Sequence, residues 1–244
     1  MKKIIAIIPA KKKSYRIKNK NLLKFKGQTL VEKTAQDASR SKKLYKIYLS
    51  SDCETIRKKI KKFKNIEILS KRTSRFSGKN ATMHSVVKHE LRKIKINYDY
   101  IMILQPTSPL RNYKDIDKAC ELISKKNLKV DSLVSCTHLP EEYEPKKIMV
   151  QKNFHLEFLD LKAIFLNNLK INKLLMNKKK FKFMKKQKNR NLYYFRNGAI
   201  FITSKKKILD YIVGGKIINY EMPFSRSLDI NSYSDLEKLN LIKF

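Results

Sequence analysis

Tryptophan is absent from this 244-residue chain, glycine occurs only five times, and acidic residues number 21 against 57 lysines and arginines. The three cysteines, Cys53, Cys120 and Cys136, are odd in number and widely spaced, with no CxxC. That pattern excludes a disulfide framework and a zinc knuckle, and the cysteines read as reduced, mostly buried thiols. Four histidines, His84, His89, His138 and His155, show neither HExxH nor Cys-His spacing, so zinc hydrolysis has no support. No stretch reaches the roughly 18 to 20 apolar residues needed to span a bilayer. The opening Met1-Lys2-Lys3 before Ile4 to Ala10 imitates a signal peptide, but its apolar run is short and meets Lys11-Lys12-Lys13 directly. A buried first strand fits it better.

The shortage of acids leaves a formal charge of +36. Such an excess raises nucleic acid, anionic membranes or phosphate-rich ligands as partners. Lysine, isoleucine and asparagine are high together throughout, however, which fits a compositional drift and a solvated lysine surface better than a dedicated polyanion face. Aromatics interleave with basic residues only at Phe181, Phe183, Tyr193, Tyr194 and Phe195, so a nucleic-acid partner is not expected.

Short apolar runs alternate with helical periodicity, the pattern of β-α-β units in a mostly parallel sheet with helices on both faces. Strands are expected at Ile4 to Ile8, Ile47 to Ser50, Ile66 to Leu69, Tyr98 to Leu104, Ser132 to Cys136, Gly198 to Thr203 and Ile217 to Met222. The near-continuous apolar run Tyr98 to Leu104 predicts a central strand buried on both faces. Helical spacing appears at Leu30 to Ala38, Ile56 to Phe63, Met83 to Ile94, Ile116 to Ile123, Ile208 to Ile212 and Ser232 to Leu241. Between about 146 and 190 the rhythm breaks, with an apolar cluster Phe154 to Leu169 and a lysine-rich Asn177 to Arg190, which reads as an excursion from a single domain.

Ligands of open α/β sheets bind beyond the carboxyl ends of the strands. The loop after the first strand, Pro9 to Asn21, carries Lys11, Lys12, Lys13, Arg16, Lys18 and Lys20. It is either a phosphate cradle or a solvated lysine tract; its position favours the cradle. After the central strand, Leu104-Gln105-Pro106-Thr107-Ser108-Pro109-Leu110-Arg111 sets an amide, two hydroxyls and an arginine in a proline-stiffened loop, with a capped strand-to-helix turn as the plainer reading.

Together the IPA-basic loop, LQPTSPLR, Asn197-Gly198-Ala199-Ile200 and Asp229-Ile230-Asn231 with Asp235 resemble the ordered signature of the acylneuraminate cytidylyltransferase family. A fifth block, Arg72, Ser77, Gly78, Ala81, Thr82 and His89, has similar spacing. The resemblance covers nearly the whole chain. It implies a Rossmann-like nucleotidyltransferase fold, a single domain over residues 1–244 with about 146–190 inserted for dimerisation or as a lid, a cytoplasmic homodimer, and Mg²⁺. It implies transfer of CMP from CTP to a nine-carbon acidic sugar of the sialic, legionaminic or pseudaminic type, with release of pyrophosphate. It places Lys11, Ser14, Lys20 and Asn21 around the triphosphate, with Lys20 and Asp229 catalytic. Arg72, Thr82 and Gln105 fall near the cytidine or its phosphates, and Asn197 and Gly198 near the sugar. Asp229 and Asn231 fall at the metal, with helix capping the plainer alternative for Asp229. Arg111 reads as substrate-linked or structural.

Five positions depart from the family pattern. Lys11 stands where arginine is usual, which loses bidentate geometry. Lys13 stands where glycine or asparagine is common, Tyr15 where lysine is, and Lys79 where an acid is. Asn231 replaces the second aspartate of Asp-Ile-Asp. A catalytically silent binding subunit is the alternative these substitutions raise. The related enzymes for the eight-carbon sugar KDO are expected to lack the LQPTSPLR and NGAI pair.

Overall fold

The computed structural model describes residues 2–125, 128–139, 149–152, 155–158 and 194–242. In chain order the strands are β1 (Ile4–Pro9), β2 (Lys24–Phe25), β3 (Gln28–Thr29), β4 (Lys46–Ser50), β5 (Ile66–Ile68), β6 (Tyr100–Ile103), β7 (Ser132–His138), β8 (Met149–Lys152), β9 (His155–Phe158), β10 (Tyr194–Ser204) and β11 (Ile217–Glu221). The helices are α1 (Leu30–Arg40), α2 (Glu54–Ile60), α3 (Met83–Leu91), α4 (Tyr113–Ile123) and α5 (Tyr233–Leu241). The chain divides into two compact units, residues 1–137 with 196–244, and residues 138–195. In the second unit β8 and β9 form an antiparallel hairpin. The rest of the expected excursion, including most of Phe154 to Leu169 and all of Asn177 to Arg190, lies outside the described residues.

Seven strands form one sheet in the order β11-β7-β10-β6-β1-β4-β5. β1 runs parallel to both β4 and β6, β4 to β5, and β11 to β7, while β10 is antiparallel to β6. The continuous apolar runs occupy the middle, with β6 fourth of seven, as its pattern predicts. Strand alternation then sorts the core. Ile4, Ala6 and Ile8 join Met102 and Leu104 on the face packed by Val31 and Ala35 of α1, Ile56 and Ile60 of α2, and Ile116 and Ala119 of α4. Ile5 and Ile7 join Ile101 and Ile103 on the other face with Val87 of α3. Each of these fully buried isoleucines contributes about 1.5–3 kcal/mol of burial. All three cysteines are free and buried.

A third, small core consists of Ile17, Leu30, Leu110, Ile230 and Leu239. It draws the loop after β1, the loop after β6, the segment before α5 and α5 itself onto the start of α1. Helix entry is defined by side chains: Thr29 with Glu32 on α1, Asn112 with Asp115 on α4 and Ser232 with Asp235 on α5 form reciprocal capping boxes.

Two local expectations change. Ile208 to Ile212 are turns, not a helix. Ile208 N–H bonds Ser204 O and Tyr211 N–H bonds Lys207 O, but Thr203 Oγ1 donates to Ile212 O, and Gly215 at φ 67° turns the chain toward β11. The helical bonding therefore ends at Tyr211, and the next residue's carbonyl is held by a side chain. The segment between the first loop and α1 also holds a hairpin, β2–β3, turned through Lys26 (φ 50°) and Gly27 (φ 77°), a two-residue turn that favours positive φ at both positions. No helix among the described residues is long and apolar enough to cross a membrane.

Candidate active site

A cleft of about 430 Å³ opens at the carboxyl ends of β1 and β6. Lys11, Arg16, Lys20, Arg72 and Lys79 line it, with no carboxylate among the lining residues. Ser14, Asn21, Gln105, Thr107 and Asn231 add hydrogen-bonding groups, and Phe76, Ala81, Met83 and Val86 form an apolar wall. Five cations and an apolar shelf suit a ligand that is polyanionic at one end and flat and uncharged at the other.

The basic loop is held along its length, which a loose lysine tract would not be. Ala10 N–H bonds Ser50 O at 2.9 Å, Lys12 N–H bonds Asp52 Oδ1 at 2.8 Å, and Asn21 Nδ2 donates to Lys11 O at 2.8 Å. Buried Ile17 anchors its middle. Lys13 needs no left-handed backbone: outside glycine, the described residues with positive φ are Asn19 and Lys26. The Lys11 ammonium lies over the ring of Tyr15, 5.3 Å from its centroid, so the tyrosine at this departure position contacts the cation beside it.

Lys20 Nζ donates to Ile230 O at 2.8 Å and ties the first loop to the segment before α5. Burial pushes its ammonium below the ordinary lysine range; Asp229 and Asp235 oppose the shift, Arg16 and Lys11 add to it. Arg72 is 4% exposed, and its Nε and Nη2 have no hydrogen-bond partner among the described residues. Burial lowers its pKa too, against the fields of Asp52 and Glu90. A buried guanidinium in the wall of a cleft is a ready anion contact.

Asp229 stands behind this rim. Its Oδ2 accepts from Asn231 Nδ2 at 2.9 Å, while its buried Oδ1 has no hydrogen-bond partner among the described residues. It does not cap α5: Ser232 does, with Asp235 accepting from the backbone N–H groups of Asn231 and Ser232. Asn231 Oδ1 meets Arg16 Nη1 at 3.4 Å. Gly198, at φ 73°, lies against the same carboxylate, and a Cβ there would come within 3.0 Å of Asp229 Oδ2.

Seven of the expected site residues therefore line one cleft: Lys11, Ser14, Lys20, Asn21, Arg72, Gln105 and Asn231. Asp229 and Gly198 sit together beside it. Thr82 lies between the lining residues Ala81 and Met83, but its Oγ1 caps α3 by accepting from Ser85 N–H. Asn197 is fully buried; its Oδ1 accepts from Ser135 Oγ and Ala199 N–H, and its Nδ2 donates to Ser227 Oγ. That amide fixes the backbone beside Gly198, the positive-φ residue within β10. Arg111 is a buried strut, donating to Ala199 O, Gln105 O and Thr34 Oγ1. Phe76, backed by the stacked ring of His89 at 4.1 Å, and Asp52 are site features that the sequence reading did not single out. Asp52 is two residues past the end of β4, so the strand-end rule alone points to it.

A family model described as cytidylyltransferase matches residues 5–238. An N-acylneuraminate cytidylyltransferase of Escherichia coli O18:K1:H7 is 28% identical over 239 residues, and one of Streptococcus agalactiae serotype III is 27% identical over 237. Each alignment covers 96% of this chain but 51% of the relative, so the chain spans about half the length of these curated relatives. Among solved structures, a CMP:2-keto-3-deoxy-manno-octonic acid synthetase complexed with CTP matches at TM-score 0.63 and 13% identity, covering 97% of this chain and 96% of that one. A 4-diphosphocytidyl-2C-methyl-D-erythritol synthase from Anaerococcus prevotii matches at 0.60 and 14%, covering 98% and 97%. At those identities the likeness concerns the fold alone, the Rossmann-like nucleotidyltransferase sheet.

Proposed function

Because this chain belongs to the cytidylyltransferase family, we propose that it transfers CMP from CTP to a nonulosonic acid and releases pyrophosphate. The observation that carries the reading is the cleft itself: five cations, one buried and one half-buried, in the same cavity as the apolar side chains of Phe76, Ala81, Met83 and Val86. The triphosphate lies along Lys11, Ser14, Arg16, Lys20 and Arg72, and the cytosine against the wall. The anomeric hydroxyl of the sugar attacks the α-phosphorus in line, the bond to the β-phosphate oxygen breaks, and pyrophosphate leaves among the lysines. The chain's own work is positioning and charge stabilisation.

A divalent metal fits the donors present. Asp229 Oδ1 is a buried carboxylate oxygen without a partner among the described residues, and Mg²⁺ needs only one or two carboxylates besides phosphate oxygens. When bound, it would neutralise phosphate charge. Asn231, turned by Asp235, orients Asp229 through Oδ2 and holds Arg16, so the amide at this departure position serves the carboxylate it follows. Gly198 leaves room for that carboxylate. A homodimer formed through about 146–190, and a cytoplasmic enzyme making activated sugars for surface glycans, belong to the same proposal and rest on the family resemblance.

The test is pyrophosphate release from CTP and Mg²⁺ with N-acetylneuraminic, legionaminic, pseudaminic and KDO acceptors, with ATP, GTP and UTP as controls. Release with CTP and one nonulosonic acid is expected. No release with any pair from folded protein that still binds CTP would favour the silent subunit.

A further inference from the structure

We propose that Asp52, an acid outside the cleft lining, is a positioning residue that couples the basic loop to Arg72. The proposal deepens the reading above and rests on it only for the identity of the anion. One carboxylate oxygen makes both contacts: Asp52 Oδ1 accepts Lys12 N–H at 2.8 Å and lies 3.8 Å from Arg72 Nη2. The first contact fixes the backbone between the cleft residues Lys11 and Ser14; the second fixes a guanidinium that reaches the cleft from the loop after β5. Arg72 is further anchored by its own N–H to Ser51 O at 3.3 Å, so the short turn after β4 holds both basic elements.

Glu90, fully buried, also acts on Arg72 through its field, but its ion pair is with Lys93 at 3.0 Å, and among the described residues no hydrogen bond joins it to the basic loop. Asp52 is thus the carboxylate shared by the two cationic elements. At 3.8 Å the contact with Arg72 Nη2 is an ion pair and not a hydrogen bond, so Asp52 orients the guanidinium through charge.

The sign of the effect separates this role from simple charge. A negative group beside a polyanion site repels the ligand, so field alone predicts that neutralising Asp52 tightens anion binding. Positioning predicts the opposite. Titration calorimetry with inorganic tripolyphosphate would be run on the wild type, Asp52→Asn, Asp52→Ala, Arg72→Gln and the Asp52→Asn/Arg72→Gln pair, with melting temperature as the folding control. Expected are about threefold weaker binding for Asp52→Asn, which keeps an oxygen for Lys12 N–H, and about tenfold for Asp52→Ala. The Asp52→Asn loss should vanish once Arg72 is glutamine, since the two act as a unit.

Unchanged or tighter binding in Asp52→Asn and Asp52→Ala would overturn the proposal. So would an equal Asp52→Asn loss on the Arg72→Gln background, or a wild type that does not bind tripolyphosphate. CTP measured in parallel separates the two readings: CTP no tighter than tripolyphosphate would count against the cytidylyl reading while leaving the Asp52 result to stand on the phosphate probe.

Discussion

Two hollows in this protein are ringed by cations. The cleft at the carboxyl ends of the strands has Lys11, Arg16, Lys20, Arg72 and Lys79; the other, about 570 Å³, has Lys2, Lys125, Lys129 and Lys216 beside Tyr100, Val130 and Asp131. The first has five cations and no acid and the second four cations with one acid, so both are strongly basic; constraint separates them further. In the first, Arg72 is buried, Lys20 is half-buried and bonded to Ile230 O, and the loop carrying Lys11 is bonded through its backbone. In the second, all four lysines are exposed. A charge of +36 therefore says little about function; what matters is which cations have given up water and rotamer freedom before a ligand arrives.

The largest expected effect is at the carboxylate beside the constrained cleft. Asp229→Ala removes the unpartnered buried oxygen and leaves capping of α5 to Ser232 and Asp235, so the fold should survive. Metal-assisted charge stabilisation is worth several kcal/mol, so Mg²⁺-dependent pyrophosphate release should fall roughly 10³-fold at an unchanged melting temperature. Wild-type turnover in this variant would remove the metal assignment.

Next comes Lys20. Lys20→Met deletes the bond to Ile230 O and should lower kcat/KM by roughly 10²-fold. Burial depresses its pKa, so Lys20 loses its proton at lower pH than an ordinary lysine, and affinity for the triphosphate should fall on the alkaline side. Stability has the opposite sign. Between the folded and unfolded pKa values the native state binds fewer protons, so this group makes the free protein more stable as pH rises. An alkaline loss of binding that persists unchanged in Lys20→Arg would assign the titration to another group.

A smaller effect is expected at Gly198. Alanine at φ 73° costs about 1–3 kcal/mol, and its Cβ would press on Asp229 Oδ2. Turnover should drop about tenfold while tripolyphosphate binding is unchanged, because the cations do not depend on that part of β10. Equal losses in both would mean that the cleft and Asp229 are one rigid unit.

These residues also mark where the sequence could be read and where it could not. The runs in β1 and β6 and the stripes of α1 and α4 are periodic, so their burial follows from spacing. Seven site residues were legible because ordered loop motifs follow strands. Thr82 and Asn197 lie in those motifs, yet a hydroxyl that caps a helix and an amide spent inside a sheet look the same in sequence as ligand contacts. The stretch 208–212 has helical spacing, but spacing does not reveal that Thr203 will take the carbonyl of Ile212. Asp52 is a single acid with no repeating pattern; its meaning comes from Lys12 and Arg72, 40 residues before it in one case and in a different loop in the other.

The smallest effect sharpens the comparison most. Replacing Lys125, Lys129 and Lys216 together by alanine removes three charges from the second hollow. Exposed side chains of this kind contribute within about 0.5 kcal/mol each, and their fields decay over about 8 Å at physiological salt. Pyrophosphate release and tripolyphosphate affinity should then stay within about twofold of wild type at that ionic strength. At low salt a modest loss is expected, because long-range steering by net charge returns when screening is removed. A loss at physiological salt approaching that of Lys20→Met would mean that the exposed lysines act on the ligand as the constrained ones do, and that burial is not what separates the two hollows.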